Sequence, residues 1–166
     1  MIVAQPHAAC YILRTGDRDP GSRRRQGREA VAAEWQVAAL GTPDPGVSAA
    51  GSEDCNTANA GGGGVDALVR TGSRRNCVSD VGAFDMVGNL WEWVADWAPL
   101  STNCPGWGGF SDDAMCLAGA DTAAGPGALI RGGFGFNSGT GAGVFAIFGD
   151  NPPSRSEFGF GFRAAR

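Results

Sequence analysis

One segment of the chain shows the spacing of apolar residues that a helix requires. In REAVAAEWQVAAL, residues 28 to 40, Val31, Trp35 and Ala38 follow one another at i, i+4 and i+7, which places them on one face of an α-helix. Gly41 begins a stretch of helix-breaking residues that ends the pattern. The sequence therefore predicts a helix here, with Trp35 in the core.

A second pattern, in GAFDMVGNLWEWVADW at residues 82 to 97, has the period of a β-strand. After Gly88 the residues alternate, and one set of alternate positions is almost entirely tryptophan. Alternate side chains of a strand lie on opposite faces of a sheet, and three indoles supply a large apolar area to bury. We therefore expect the inner face of the sheet to carry Trp91, Trp93 and Trp97.

Three apolar stretches near the C-terminus predict the remaining strands. They are ALIRGGF, which stops at Gly132 and Gly133, then AGVFAIF, and the terminal FGFGFRAAR. Short stretches separated by loops favour an antiparallel sheet of short strands. Residues 1 to 29 are expected to be an irregular or shortened N-terminal part. The sequence thus predicts an α+β domain over residues 30 to 166, with one or two helices and much irregular loop.

Composition limits the classes of protein to which such a domain can belong. The chain has 166 residues, including 28 glycines and 9 prolines, which fits one loop-rich domain. Its apolar runs are too short for a membrane span, so we expect a soluble protein, and a monomer. The formal net charge is -4. Because nonspecific nucleic-acid binding requires clustered cations, we expect no nucleic-acid partner. The one basic run, RRRQGR at 23 to 28, is expected to be a solvated segment.

Five cysteines lie at positions 10, 55, 77, 104 and 116. The last four form two pairs that bracket glycine-containing loops, so we predict the disulfides Cys55–Cys77 and Cys104–Cys116 and a free Cys10. Zinc is the alternative, but the sequence has no CxxC pair and its only histidine is His7.

The N-terminal stretch MIVAQPHAACYILRTGDRDP has no basic start followed by a sustained apolar segment, so no signal peptide is predicted. The cytoplasm, or association with a virion or cell surface, is the expected location. Disulfides without export favour a thermophile's cytosol or a processed N-terminus. Adaptation to heat, or GC-rich coding, also fits the absence of lysine from the chain.

Phenylalanine is concentrated near the C-terminus in an unusual context. Seven of the nine phenylalanines lie between residues 134 and 162, several of them between glycines, as in RGGFGFNSG. Glycine provides no side-chain packing, so these rings either fill a core from irregular loops or face outward to bind something.

Four segments in order resemble one superfamily: AAEWQVAALGTPDPG, GAFDMVGNLWEWVADW, ALIRGGF and GFGFRAAR. The match is similar to the formylglycine-generating enzyme group, which implies an elaborated C-type lectin fold with few regular elements. In the enzymatic branch, the resemblance implies a copper-bound cysteine pair that oxidises a substrate cysteine. Counting back from the GFR segment places Thr140 and Phe145 at the two cysteine positions, and neither binds copper(I) as a thiolate does. A related iron-dependent branch requires several histidines. We therefore expect no catalysis, with a cysteine oxidase or a catalytically inactive relative as the alternative.

The resemblance is closer to the variable proteins of diversity-generating retroelements, in which asparagine codons are mutated at adenines. Those codons reach Phe, Asn, Ser, Asp and Arg among others, but never Lys, Glu, Gln, Met or Trp. The resemblance implies a diversified region over residues 131 to 163 that binds a ligand, expected to be a protein surface. Glu157 falls outside the codon set and is taken as a constant, or framework, residue. The candidate variable residues are Phe134, Phe136, Asn137, Ser138, Phe148, Asp150, Arg155, Phe158 and Phe160. The residues predicted to be structural are Trp35, Trp91, Trp93, Trp97, Phe145, Phe162 and Arg163.

Some relatives of this kind bind calcium through loop oxygens, which raises the question of a metal here. SDD at 111 to 113 and the carboxylates of Asp85, Glu92 and Asp96 are the oxygen ligands on offer. We assign no cofactor or metal, and calcium stays open. Arg131 and Arg163 are expected to pair with buried carboxylates or loop carbonyls.

Overall fold

The computed structural model describes residues 12–13, 28–48, 52–57, 68–136 and 139–165. In chain order the elements are β1 (Ile12–Leu13), β2 (Arg28–Glu29), α1 (Ala32–Ala39), β3 (Trp91–Leu100), β4 (Met115–Cys116), β5 (Asp121–Gly132), β6 (Gly143–Asn151), β7 (Phe160–Phe162) and β8 (Ala164–Ala165). A 3-10 turn, Gly139–Gly141, precedes β6. Over these residues the structure is mostly sheet with one helix and long loops, as the sequence predicts.

The strands form two sheets. Five of them lie in the order β4-β6-β5-β3-β7, and the other three in the order β1-β8-β2. The expectation of short antiparallel strands is wrong in two respects. β3 and β5 span 10 and 12 residues, and β3 pairs in parallel with β7, as β4 does with β6 and β1 with β8. Part of the N-terminal region predicted to be irregular therefore belongs to a sheet, through β1 and β2.

The helix α1 lies against the five-stranded sheet and supplies much of the core. Trp35 and Ala38 are buried, together with Val94, Leu129 and Ile147 from the central strands. This agrees with the helical spacing in the sequence. In the described part of the chain, no helix has the length and apolar composition needed to cross a membrane.

Strand β3 presents to the core the face opposite to the one predicted. Glu92 and Val94 are buried, whereas Trp91 and Trp93 are half-buried and the side chain of Trp97 is 62% exposed. The assignment of the tryptophans to the inner face is therefore wrong. Its cause is a set of polar contacts on the inner side of β3, which allow carboxylates to occupy positions that a hydrophobicity pattern gives to apolar residues.

The buried carboxylate of Glu92 is fully engaged by its neighbours. Its Oε2 accepts hydrogen bonds from the Trp35 indole Nε1 at 2.7 Å and from Arg163 Nε at 2.7 Å, and its Oε1 pairs with Arg163 Nη2. Arg163 also donates to the carbonyl of Phe84 at 2.9 Å. The expected pairing of Arg163 with a buried carboxylate and a loop carbonyl is observed, and it joins β3, α1 and the C-terminal segment.

Two further residues of the predicted structural set have different surroundings from those expected. Phe162, predicted to be core, is 41% exposed, because Arg163, the next residue along, takes the inward direction. Phe145 is half-buried and lies outside the main core cluster, with its ring 4.9 Å from that of Phe110. Its carbonyl accepts a hydrogen bond from Trp107 Nε1 at 2.9 Å. Phe145 thus anchors the loop before β4.

Strand β5 ends where the sequence predicts. Gly132 and Gly133 have φ values of 85° and 94°, a region that side chains other than glycine rarely adopt. A Cβ on Gly133 would also lie 2.5 Å from the Cα of Ala142. The turn directs the chain away from the sheet toward Phe134.

Both predicted disulfides are confirmed. Cys55 is bonded to Cys77, and Cys104 to Cys116. The first lies in a small buried cluster with Val87, and the second closes the loop that carries Trp107 and Phe110. The predicted free thiol, Cys10, lies outside the described residues.

The ionisation of the buried Asp85 side chain makes the stability of the fold depend on pH. Burial raises the pKa of Asp85 from the ordinary 3.8 to about 6, although its Oδ2 accepts a hydrogen bond from the Gly72 amide at 2.7 Å. The unfolded chain therefore loses this proton at a lower pH than the folded protein does, so stability falls as pH rises from about 4 to about 6.

We expect Asp85→Asn to be more stable than the wild type at pH 8, by about 2 kcal/mol, and nearly equal to it at pH 4. Asparagine still accepts the Gly72 hydrogen bond and tolerates the positive φ of 58° at this position. Thermal melts of both proteins at the two pH values measure the difference. An equal difference at both would show that ionisation of Asp85 does not govern it.

Candidate ligand-binding site

The face of the sheet opposite α1 carries a cluster of aromatic side chains. Trp91 and Trp93 of β3 lie beside Phe160 and Phe162 of β7, because the parallel register pairs Trp91 with Phe160 and Trp93 with Phe162. On the other side of β3, Ile130 of β5 is the partner of Trp93 and of Phe148 in β6. Side chains of paired residues lie on the same face, so the strands β3, β5, β6 and β7 all contribute to one surface.

A pocket of about 280 Å³ opens on this surface. We call it the aromatic pocket. Six of the nine candidate variable residues line it, although they are spread over 27 positions of the sequence: Phe134, Phe148, Asp150, Arg155, Phe158 and Phe160. Its other walls are Trp91, Ile130, Asn151, Glu157 and Gly159.

The rings of the pocket contact one another mainly edge to face. The centroids of Trp91 and Phe148 are 4.8 Å apart at 69°, and those of Phe134 and Phe158 are 5.6 Å apart at 75°. Phe160 instead stacks on Trp93, a residue that does not line the pocket; the ring centroids are 5.1 Å apart and the ring planes meet at 21°. These are favourable geometries for aromatic pairs, and they hold the pocket walls against the sheet.

Polar groups occupy one side of the pocket. Arg155 donates to Glu157 Oε1 through Nε at 2.9 Å and to Asn151 Oδ1 through Nη1 at 2.6 Å. Its guanidinium carbon lies 5.5 Å from the centroid of Phe160. Asn151 in turn donates to Asp150 Oδ1 at 2.7 Å. Both Glu157, taken as framework, and Asn151 therefore orient a residue that is predicted to vary.

The remaining candidate variable residues lie at the margin of the pocket or outside the described chain. Phe136 is 37% exposed and its ring is 5.0 Å from that of Phe134, so it extends the aromatic surface. Asn137 and Ser138 lie outside the described residues. Phe158, at 47% exposure, is the most exposed ring of the pocket.

Trp91 is the pocket residue that the sequence assigned differently. The alternation in β3 correctly put Trp91 and Trp93 on one face, and the resemblance implied that phenylalanines near the C-terminus face a ligand. What joins the two is the parallel pairing of β3 with β7, for which the sequence contains no local signal.

Residues 29–166 match the model of the sulfatase-modifying factor enzyme 1-like domain. The chain belongs to this family. A comparison with individually curated proteins gives no match.

In this sulfatase-modifying factor-like domain, the positions expected to hold the cysteine pair carry no thiol. Thr140 is exposed in the 3-10 turn, and its carbonyl accepts a hydrogen bond from Ala114 at 2.6 Å. Phe145 packs on Phe110 as described above. Of the five cysteines, the four at positions 55, 77, 104 and 116 are in disulfides.

Four of the carboxylates considered for calcium accept hydrogen bonds within the domain. Asp96 accepts a hydrogen bond from the amide of Ala32 at the start of α1, at 2.5 Å, and Asp113 accepts one from Phe145 at 2.7 Å. Burial also raises the pKa of Asp113. Glu92 and Asp85 belong to the interior contacts given above. Among the described residues, no group of three metal-ligating side chains comes together.

Arg131 lies on the α1 side of the sheet, and the partners described here do not line the aromatic pocket. It donates to Gln36 and to the carbonyl of Val144, and its guanidinium carbon lies 4.6 Å from the centroid of the Trp35 ring. Burial lowers the pKa of Arg131 to about 10. The expected pairing of Arg131 with a carbonyl is observed, but that carbonyl belongs to strand β6 and not to a loop.

Proposed function

We propose that the chain is a non-enzymatic ligand-binding domain whose aromatic pocket is diversified by retroelement mutagenesis. The observation that carries the proposal is convergence. Six of the nine residues that the resemblance, together with codon reachability, marks as variable line one pocket on the face of the sheet that α1 does not cover. Aromatic rings with an arginine are the composition of binding hot spots in protein interfaces.

Residues that the codon set excludes have supporting positions in this pocket. Glu157 pairs with Arg155 at its margin, and Trp91 forms part of its wall from a strand outside residues 131 to 163. A diversified site needs such constant residues, because the variable side chains must be held in place whatever their identity.

The neighbouring DNA tests the retroelement part of the proposal. We expect a near-copy of codons 131 to 163, differing mainly at adenines, beside a reverse transcriptase gene. Several versions of the protein from related cells should differ at the codons for the candidate variable residues and agree at those for Trp91 and Glu157. A locus without such a copy would contradict diversification.

The alternative, a cysteine oxidase of the family type, is tested by turnover. Incubation with copper(I), oxygen and a cysteine-containing sulfatase-type peptide should leave the peptide unchanged, because Thr140 and Phe145 stand where the chemistry needs two thiolates. An active two-cysteine member of the family, assayed in parallel, provides the positive control. Copper-dependent loss of the peptide thiol would contradict the non-enzymatic proposal. Mass spectrometry of the peptide is the measurement.

A further inference from the structure

The size of the aromatic pocket limits what it accommodates. At about 280 Å³ it lies just below the range of roughly 300–1,000 Å³ that is usual for small-molecule sites. The pocket is also shallow, since Phe158 is half exposed at its edge. Such a pocket suits one large side chain projecting from a protein surface, in the manner of an interface anchor.

The walls of the pocket favour a ring over an aliphatic chain. Trp91, Phe134, Phe148 and Phe158 already meet edge to face around the pocket. A planar ring that enters this cluster continues the same arrangement and gains the quadrupole interaction that a leucine side chain lacks.

The charged groups of the pocket leave a hydrogen-bond acceptor available to a donor on the ligand. Arg155 already lies over Phe160, where an incoming cation would otherwise bind. Its charge is balanced by Glu157 at 2.8 Å. Among the described residues, the Asp150 carboxylate accepts a hydrogen bond from Asn151, and a carboxylate has capacity for several more.

We infer that the aromatic pocket takes one tyrosine or tryptophan side chain of a partner protein. Its ring lies against Trp91 and the pocket phenylalanines, and its O–H or N–H donates to Asp150. The inference rests on the proposed function and adds the class of ligand. Trp91 would give every diversified version of the protein a constant ring to contact, whereas Asp150 belongs to this version alone.

The test uses blocked amino acids as probes of the full chain. N-acetyl-tyrosinamide is titrated into ¹⁵N-labelled protein while the indole N–H signals are followed by NMR, and N-acetyl-phenylalaninamide, N-acetyl-leucinamide and tetramethylammonium are titrated separately. We expect the tyrosine probe to shift the Trp91 signal saturably and to bind about fivefold more tightly than the phenylalanine probe, as one hydrogen bond predicts. The leucine and ammonium probes should bind more weakly than either.

Three variants identify the groups responsible. Asp150→Asn should reduce the preference for tyrosine over phenylalanine to about twofold or less while leaving the phenylalanine probe unaffected. Trp91→Leu, followed through the backbone amide signals of the pocket residues, should weaken both aromatic probes. Trp97→Ala, which removes an indole outside the pocket, should change neither. Should Trp91→Leu fail to fold, the Asp150 variant still decides.

Tighter binding of the leucine or ammonium probe, or the absence of any shift at Trp91, would overturn the inference. The sequence of the neighbouring DNA tests diversification independently, so that proposal would not fall with this one.

Discussion

Replacing Glu92 with alanine is expected to lower the free energy of unfolding by about 3–5 kcal/mol. The substitution takes away the carboxylate opposite the Arg163 guanidinium, which is only 3% exposed, and the acceptor of the Trp35 indole N–H. It leaves a charge in a region of low dielectric where water cannot replace the lost partner. Chemical denaturation of the variant and the wild type measures the change.

The matched control is Glu157→Ala. Glu157 also pairs with an arginine, but both side chains are more than 40% exposed, so the loss should be below about 1 kcal/mol. Equal losses of unfolding free energy for the two variants would show that burial does not make the Glu92–Arg163 pair more stabilising than an exposed pair.

Trp35→Ala is expected to destabilise the protein by about 3–5 kcal/mol, because it opens a cavity beneath α1 where the indole is 0% exposed. The same substitution at Trp97, which is 62% exposed, should change stability by no more than about 1 kcal/mol. Thermal melts of the two variants compare the same substitution at a buried and at an exposed tryptophan. A Trp97→Ala loss as large as that at Trp35 would restore the original expectation that the β3 tryptophans form the core.

The sequence was sufficient for α1 and for the longer strands β3, β5 and β6, but not for β1, β2 and β4 or for the faces of β3. The helical spacing around Trp35 and the alternation after Gly88 reflect local geometry, and both disulfides follow from where the cysteines bracket loops. The inward face of β3 depends on Arg163, which is 71 residues away from Glu92. The spacing of apolar residues cannot show that a carboxylate is buried because a distant arginine and an indole donate hydrogen bonds to it.

The binding surface was predicted in part. The resemblance, together with codon reachability, selected Phe148, Asp150 and Arg155 without any structure, and these lie in one pocket. The same reasoning could not find Trp91, because its place in the pocket comes from the parallel pairing with Phe160 across a long stretch of chain. It also could not show that Asn151 would hold Arg155.

The independence of the binding surface from the folding core is tested most directly by comparing two libraries. In the first, the codons of the described candidate variable residues are replaced by NNC, which encodes the residues reachable from an AAC asparagine codon. These residues are Phe134, Phe136, Phe148, Asp150, Arg155, Phe158 and Phe160. In the second, NNC is placed at the same number of buried positions whose native residues NNC also encodes: Ala38, Ala39, Val87, Val94, Leu129, Ala146 and Ile147.

Both libraries are displayed on yeast and sorted for resistance to protease, and the surviving fractions are counted by sequencing. We expect the pocket library to survive at least about tenfold more often, because each buried change costs a cavity or a clash while the exposed or half-buried pocket residues lose less. Similar surviving fractions would contradict the account, since the phenylalanines of the pocket would then be part of the folding core.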